Sequence, residues 1–454
     1  MKFKNLQKQP WRLLLPAVLL GGILVLSGCD FASNATQIFN QIVGQIVQPA
    51  TPTLPVSSTT ITPAQTKTQQ AEITTPSPEL GILNLVIWVP PQFDPQLDSI
   101  AAKLLRDRIA EFEQANKDVF IQVRVKPASG PTGILESLSI TNGAAEAAMP
   151  SIVALSRSDL ETAVSRKLIY PFDSYSTNID GEDWYQYARD MVVVGGSSYG
   201  LPFFGDALIL VNRPDIIGAQ PQSWQEALKR GEPLAFPAAD PQALVALSIY
   251  QAAGGDIGSA QRIPPMDEVA LTTTFQLFAD GASAGVFPLW TTQIQKDVEA
   301  WTAYNELRSN WVITWSSRYL HDQVEDSSAL SMPMIDKPSS TFVDGWVWCI
   351  SDPQSEHNPT NARLIEFLTD PNFLEEWSSA QGALPVRPSS LVGWEDQNLR
   401  HILERVALSG IVKPRTEILT FLGPILTEQV IQILSGKTTA PIAAQEVMER
   451  VENP

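Results

Sequence analysis

Leu83 to Val89 form an almost unbroken apolar run, broken only by Asn84 and halted by Pro90-Pro91. A short run of this kind with turn residues at its end fits a parallel strand buried on both faces. Ala101, Leu105, Ile109 and Phe112 then recur at helical spacing, which predicts a helix from about Ser99 to Asn116. Val119, Ile121, Val123 and Val125 alternate, as a half-buried strand does. The three pieces make one βαβ unit, with a crevice expected at the carboxyl end of the first strand. Pro150 to Leu155 predicts a further strand, and Ser158-Asp159-Leu160-Glu161 has the spacing of a capping box that opens the next helix.

The same alternation continues. Ser223-Trp224-Gln225-Glu226 is a second capping box, Asp240-Pro241 places a cap before a first-turn proline, and Gly254-Gly255 ends the helix that comes after it. Asn358-Pro359 and Gly382 bracket two more helices. Strand and helix signals alternating over most of the chain predict an α/β fold with parallel, doubly wound sheets, more than one sheet accommodates. Two lobes are implied. The 454 residues, 44% of them hydrophobic, supply enough apolar material for two cores.

The N-terminal end reads differently. A basic stretch from Met1 to Arg12 precedes the apolar run Leu13 to Leu26, the layout of an export signal and too short for a comfortable span. It closes in Leu26-Ser27-Gly28-Cys29, which resembles a bacterial lipobox and implies cleavage before Cys29 and its lipidation as a membrane anchor. Residues 1–28 are therefore expected to be a lipoprotein signal peptide and 29–80 a tether. From Pro49 to Glu79 the chain is dominated by Thr, Pro, Ser and Gln and cannot bury enough surface to offset its ordering entropy. A flexible tether of about 50 residues has a root-mean-square reach of roughly 40 Å. Ile38, Phe39, Ile42, Val43, Ile46 and Val47 make an apolar stripe that suits either a lipid-surface helix or a loose spacer.

A formal charge of −18 argues against nucleic acid and anionic lipid as electrostatic partners. The two cysteines, Cys29 and Cys349, leave one in the folded part, so neither a disulfide framework nor a thiolate metal site is available. His321, His357 and His401 are scattered without metal-ligand spacing. No metal and no cofactor is expected.

Residues along the body resemble extracellular solute-binding protein family 1, which includes the maltose and other sugar receptors of ABC importers. The landmarks are Leu83 to Trp88, Phe112 to Asn116, Arg166 to Asp173, and Tyr199-Gly200-Leu201-Pro202-Phe203-Phe204 continuing to Leu210-Val211-Asn212-Arg213. Pro221 to Glu226, Asp344-Gly345-Trp346, Ala362 to Leu368 and Gly382-Ala383-Leu384-Pro385-Val386-Arg387 complete the series in the family's order. The chain departs from the pattern at Asn305 to Asn310, where many relatives carry a glycine-containing segment. The resemblance implies a type II periplasmic binding protein-like fold with lobe 1 at 81–205 and 348–385, and lobe 2 at 206–347 and 386–454. Crossings are expected near Phe204 to Leu208, Asp344 to Ile350 and Pro385 to Leu391, with closure about them around a ligand. It also implies a monomer in the periplasm or cell envelope that delivers its solute to ABC permease subunits.

A sugar offers C–H faces and a ring of hydroxyls, so its receptor needs aromatic platforms and bidentate polar side chains. Trp88, Trp315, Trp346, Phe204 and Phe421 are the candidate platforms. Asp94, Ser156, Arg157, Asp206 and Asp344 are the candidate polar contacts, because each follows a predicted strand or sits at a crossing. Two GxSxG matches, at Gly196 to Gly200 and Gly281 to Gly285, lack the strand–turn–helix setting of a nucleophile elbow. Glu111 with Glu113 and Glu375 with Glu376 fall on predicted helix surfaces rather than flanking one bond. A binding protein without catalysis is the expectation; a secreted carbohydrate-active hydrolase, or a non-transport receptor on the same fold, is the alternative.

Overall fold

The first helix begins where its spacing requires. Ser99 is extended and its Oγ accepts from the amide of Ala102 at 3.1 Å, capping the helix Ile100–Ala115. The structure is a computed structural model that describes residues 82–257, 264–335, 337–338 and 340–453. The expected leader, Cys29, the tether and the stripe Ile38 to Val47 lie outside the described residues.

The strands are β1 (Leu83–Val89), β2 (Val119–Val125), β3 (Ile152–Ser156), β4 (Val193–Val194), β5 (Ser197–Ser198), β6 (Leu201–Asn212), β7 (Leu234–Ala235), β8 (Trp311–Trp315), β9 (Ser328–Leu330), β10 (Thr341–Ile350) and β11 (Gly410–Val412). Among the described residues the main sheet runs β2-β1-β3-β10-β6-β8-β7, with β11 beside β10 and β9 beside β6. β1 pairs in parallel with β2 and β3, as the βαβ reading requires. β10 enters antiparallel to both β3 and β6, so the sheet is mixed where doubly wound parallel sheets were expected. The reason is that two long strands run between the lobes. Residues 201–207 of β6 pair with β10, whereas 208–212 pair with β8 and β9.

Period-2 alternation along β6 explains how one strand serves two cores. Leu208 and Leu210 join Trp311 and Ile313 in one apolar cluster, built largely with the helices Glu268–Ser283 and Thr416–Leu434. Ile209 and Val211 turn to the other cluster, which contains Val312 and runs on through Phe203, Trp348 and Trp377 to β1 and β3. The result is two α/β lobes joined by the long strands β6 and β10.

Two glycines sit where β6 and β10 run side by side. Gly205 is in register with Gly345. A Cβ on Gly345 would lie 2.4 Å from the carbonyl oxygen of Phe204 and 2.6 Å from Met191 Sδ, and one on Gly205 would lie 2.8 Å from the Tyr187 ring. Tyr187 is fully buried and its hydroxyl donates to the carbonyl of Pro385 at 2.6 Å. Glycine here permits backbone and ring to approach closely.

Two cap positions differ from expectation. The helix Arg157–Ser165 is capped by Ser156, whose Oγ accepts from Asp159 N at 3.2 Å, not by Ser158. Glu161 is drawn instead to Arg157, at 2.6 Å. After Asp240-Pro241 the helix starts only at Leu244, because Asp240 spends its carboxylate on the amides of Gln242 and Leu244 at 2.9 and 3.1 Å. Ser223 caps its helix as read, its Oγ accepting from Glu226 N, but the Glu226 carboxylate accepts from Gln222 N, one residue before the cap, so only half of the box forms.

Candidate functional site

A cavity of about 640 Å³ opens where β6 and β10 cross between the lobes. β3 ends in Ser156, and β1 runs into the turn that carries Gln92, so both strand ends reach the cavity. β10 adds Asp344, Gly345 and Trp346; β6 adds Phe204, Asp206 and Leu208. Trp315 comes from the end of β8 and Ser317 from the helix Ser316–Asp322. This is the carboxyl-end crevice that open α/β sheets provide.

Phe204 and Trp346 are anchored from behind. Phe93, which is buried, places its ring 5.6 Å from that of Phe204 and 5.4 Å from that of Trp346, both edge-on. Phe203, Trp348 and Trp377 close the same cluster, the Phe203 and Trp377 centroids being 4.1 Å apart. Trp346 remains half-buried, which leaves part of its surface available to the cavity. A side chain packed this way loses little further freedom when a guest lands on it.

The polar wall is built from paired groups. Asp206 accepts from Ser316 Oγ at 2.9 Å, from Ser317 N at 2.8 Å and from Ser317 Oγ at 2.7 Å. Burial pushes its carboxyl up to about 6, against the lowering effect of those bonds and with a further push from the charge of Asp344. Asp344 is ion-paired with Lys413, whose ammonium also lies 6.0 Å from the Trp315 ring centroid. Asp297 is held by Arg318 Nε at 2.9 Å and by Thr314 Oγ1 at 3.3 Å. Asp240 is occupied by two backbone amides, and burial raises its carboxyl too.

Six of the ten sequence-predicted residues line this cavity: Ser156, Phe204, Asp206, Trp315, Asp344 and Trp346. Four do not. Trp88 is buried within the first cluster, with the Lys126 ammonium 4.6 Å from its ring centroid. Asp94 accepts from Gln96 N at 2.9 Å in the turn after β1. Arg157 is paired with Glu161, and Phe421 packs against the second cluster from the helix Thr416–Leu434. Gln92 lines the cavity where Asp94 was expected, two residues nearer the strand end. Gln242, Lys296, Asp297 and Lys413 were missed because each sits on a turn or helix end that meets the cavity only through tertiary packing. The signal for Ser317 was present in Trp315-Ser316-Ser317, a strand end running into small hydroxyl residues.

Neither GxSxG serine sits at a strand-to-helix turn. Ser198 lies in β5, its amide donating to Asp173, and the chain continues into β6; Ser283 ends a helix, its Oγ donating to Ala279 O at 2.9 Å.

Two α/β lobes with a polar, tryptophan-lined cavity at their strand crossings define the periplasmic binding protein class. The sequence pattern described as bacterial extracellular solute-binding protein matches residues 107–398, and the chain belongs to that family. Membership implies an extracytoplasmic location. No curated protein sequence matches the chain. The solved structures it resembles include the cyclic alpha-maltosyl-1,6-maltose binding protein from Arthrobacter globiformis, at 16% identity and TM-score 0.66, covering 82% of this chain and 100% of that one. Maltose-bound MalE3 of T. maritima matches at 17% identity and TM-score 0.59, covering 82% and 99%. MalE from the phytopathogen Xanthomonas citri, a sugar-binding protein, matches at 16% identity and TM-score 0.65, covering 82% and 97%. Likeness at such identity establishes the fold.

Proposed function

We propose that this protein captures a small neutral saccharide in the crossing cavity by closure of its two lobes, and hands it unaltered to an ABC importer. The observation that carries this is the chemistry of the cavity wall: two tryptophans, Trp346 from β10 and Trp315 from β8, beside four carboxylates already matched to protein donors. Lys413 and Arg318 offset the charges of Asp344 and Asp297, hydroxyl and amide donors hold Asp206 and Asp240, and the remaining lone pairs of all four accept from hydroxyls. The surplus of acids over Lys296 and Lys413 along the wall disfavours an anion. Neutral hydroxyls over aromatic faces are what a sugar supplies. Of the structural relatives named above, one is maltose-bound, one is a cyclic alpha-maltosyl-1,6-maltose binding protein and one a sugar-binding protein, which agrees with this class of guest.

Lobe 1 comprises 81–205 and 348–385 in this reading, and lobe 2 comprises 206–347 and 386–454. The body acts as a monomer, without catalysis, and lipidated Cys29 fixes it to the membrane through the 29–80 tether. Each lobe must gain more from the guest in the closed form than in the open one, since only differential affinity shifts the two populations.

A panel of neutral oligosaccharides tests the reading by thermal shift, with the sugar recovered and weighed for cleavage afterwards. At least one sugar raises Tm by linkage and returns intact. A panel with no response removes the sugar, and recovery of shorter saccharides removes the transport receptor. Replacement of Cys29 by Ala releases the protein from membranes; retention contradicts lipidation.

A further inference from the structure

A second cavity, of about 800 Å³, lies behind the first. Gly382 lines both, and a Cβ there would stand 3.3–3.4 Å from the backbone of Leu320 and His321, so the two cavities meet at a close approach of chain to helix. The single helix Ser316–Asp322 serves the two cavities with different residues: Ser317 faces the first, Tyr319 and Leu320 the second.

We propose that this rear cavity is a second binding site, for a small neutral polyhydroxylated molecule, and this does not rest on the reading of the front cavity. Its wall combines an aromatic and aliphatic floor, from Tyr319, Leu320, Trp394 and Ile402, with exposed hydrogen-bonding groups at the rim. That is the anatomy of a small-molecule cleft. Trp394 is 7% exposed, and its indole Nε1 has no acceptor among the described residues. Trp88, Trp224 and Trp348 share that condition but line neither cavity, so Trp394 alone of the four borders one. A buried donor without a partner carries a desolvation cost that a ligand hydroxyl relieves.

Two exposed side-chain amides, of Gln323 and Asn398, line this cavity and are open to a guest's hydroxyls. Gln323 takes the left-handed conformation, φ 42°, as the residue that ends the helix Ser316–Asp322 at the edge of this cavity. The charges in the wall argue for a neutral guest. Asp396 accepts from the amides of Asn398 and Leu399 at 2.9 and 3.0 Å, and the wall carries charges of both signs, Glu395 and Asp396 against Arg405.

The test is the indole N–H spectrum of the ¹⁵N-labelled full chain, titrated separately with glucose, trehalose, maltose and maltotriose. The Trp394 resonance is identified by its loss in Trp394→Phe. We expect at least one of these sugars to shift it saturably, and the shift to persist in Trp346→Ala, which disables the front cavity. Asn398→Trp and, as a second filling variant at an exposed position, Ser379→Trp abolish the Trp394 shift while leaving the Trp346 response intact. A Trp394 resonance unmoved by all four sugars overturns the rear site, as does a shift that vanishes with Trp346→Ala. A saturable Trp394 shift with no response at Trp346 leaves the rear site standing and removes the sugar reading of the front cavity.

Discussion

The two sides of the front cavity are held by different physics. On the β10 side, Phe204 and Trp346 rest on a packed aromatic cluster in which Phe93 contacts five other rings. On the β8 side, Trp315 stands beside Lys413, and the surrounding wall is a set of paired charges and serine hydroxyls. Aromatic packing is indifferent to pH and salt, whereas a carboxylate desolvated by burial is not. One face therefore supplies a fixed platform and the other a wall whose acceptor strength depends on protonation. Affinity and stability should separate along the same line.

The largest effect is expected behind the platform. Phe93→Ala deletes the ring on which Phe204 and Trp346 rest, and should cost about 3–5 kcal/mol of stability, read by denaturant unfolding. A loss below about 1 kcal/mol would mean that the site relaxes and the platform is not rigid. Gly345→Ala should come next, at about 1–3 kcal/mol, because its Cβ meets the Phe204 carbonyl and Met191. An Ala variant of wild-type stability would show that the crossing has slack.

The polar side is broken more gently. Asp206 titrates near 6 when folded, above its ordinary 3.8, so the folded state binds its proton more tightly. Stability contributed by this group therefore falls as pH rises from about 4 to 6: the cost of the ionised, buried carboxylate is absent below that window and fully present above it. Its size is on the order of 2–3 kcal/mol at neutral pH. Asp206→Asn should remove that slope, leaving a difference in unfolding free energy between variant and wild type that grows across the window. A flat difference would contradict the shift. Solute affinity has the opposite sense, weakening as pH drops through 6 and the carboxylate ceases to accept from hydroxyls on both oxygens. Smallest of all is Asp94→Ala, which should leave affinity unchanged and stability within about 0.5 kcal/mol. A tenfold loss of affinity would return Asp94 to the site.

Much of this architecture is legible in the sequence alone. Periodicity locates β1, the helix Ile100–Ala115 and β2, because local burial pattern and local structure agree there. The mixed sheet is not legible: the long crossing strands β6 and β10 look like ordinary apolar runs, and their antiparallel entry is decided by which lobe each end must reach. Candidate contacts chosen at strand ends and crossings are brought together where the strand end itself forms the wall, as with Ser156, Asp206 and Trp346. Trp88 shows why the rest failed. It sits one residue before the end of β1, where Ile87, Trp88 and Val89 are all buried because both faces of the strand are covered, and nothing local separates a platform tryptophan from a core one. Gln242, Asp297 and Lys413 reach the cavity from turns and helix ends distant in sequence, positions for which periodicity carries no information.

If Trp346 and Trp315 clasp a neutral sugar without supporting the fold, their removal must abolish binding and spare stability. Isothermal titration of wild type and of the double variant Trp346→Ala/Trp315→Ala with the neutral saccharide panel addresses this directly, both proteins first matched for Tm. We expect saturable binding by wild type and loss of at least about a hundredfold in affinity, about 3 kcal/mol, in the double variant. Binding that survives both truncations, or a wild type that binds none of the sugars, would contradict the clasp.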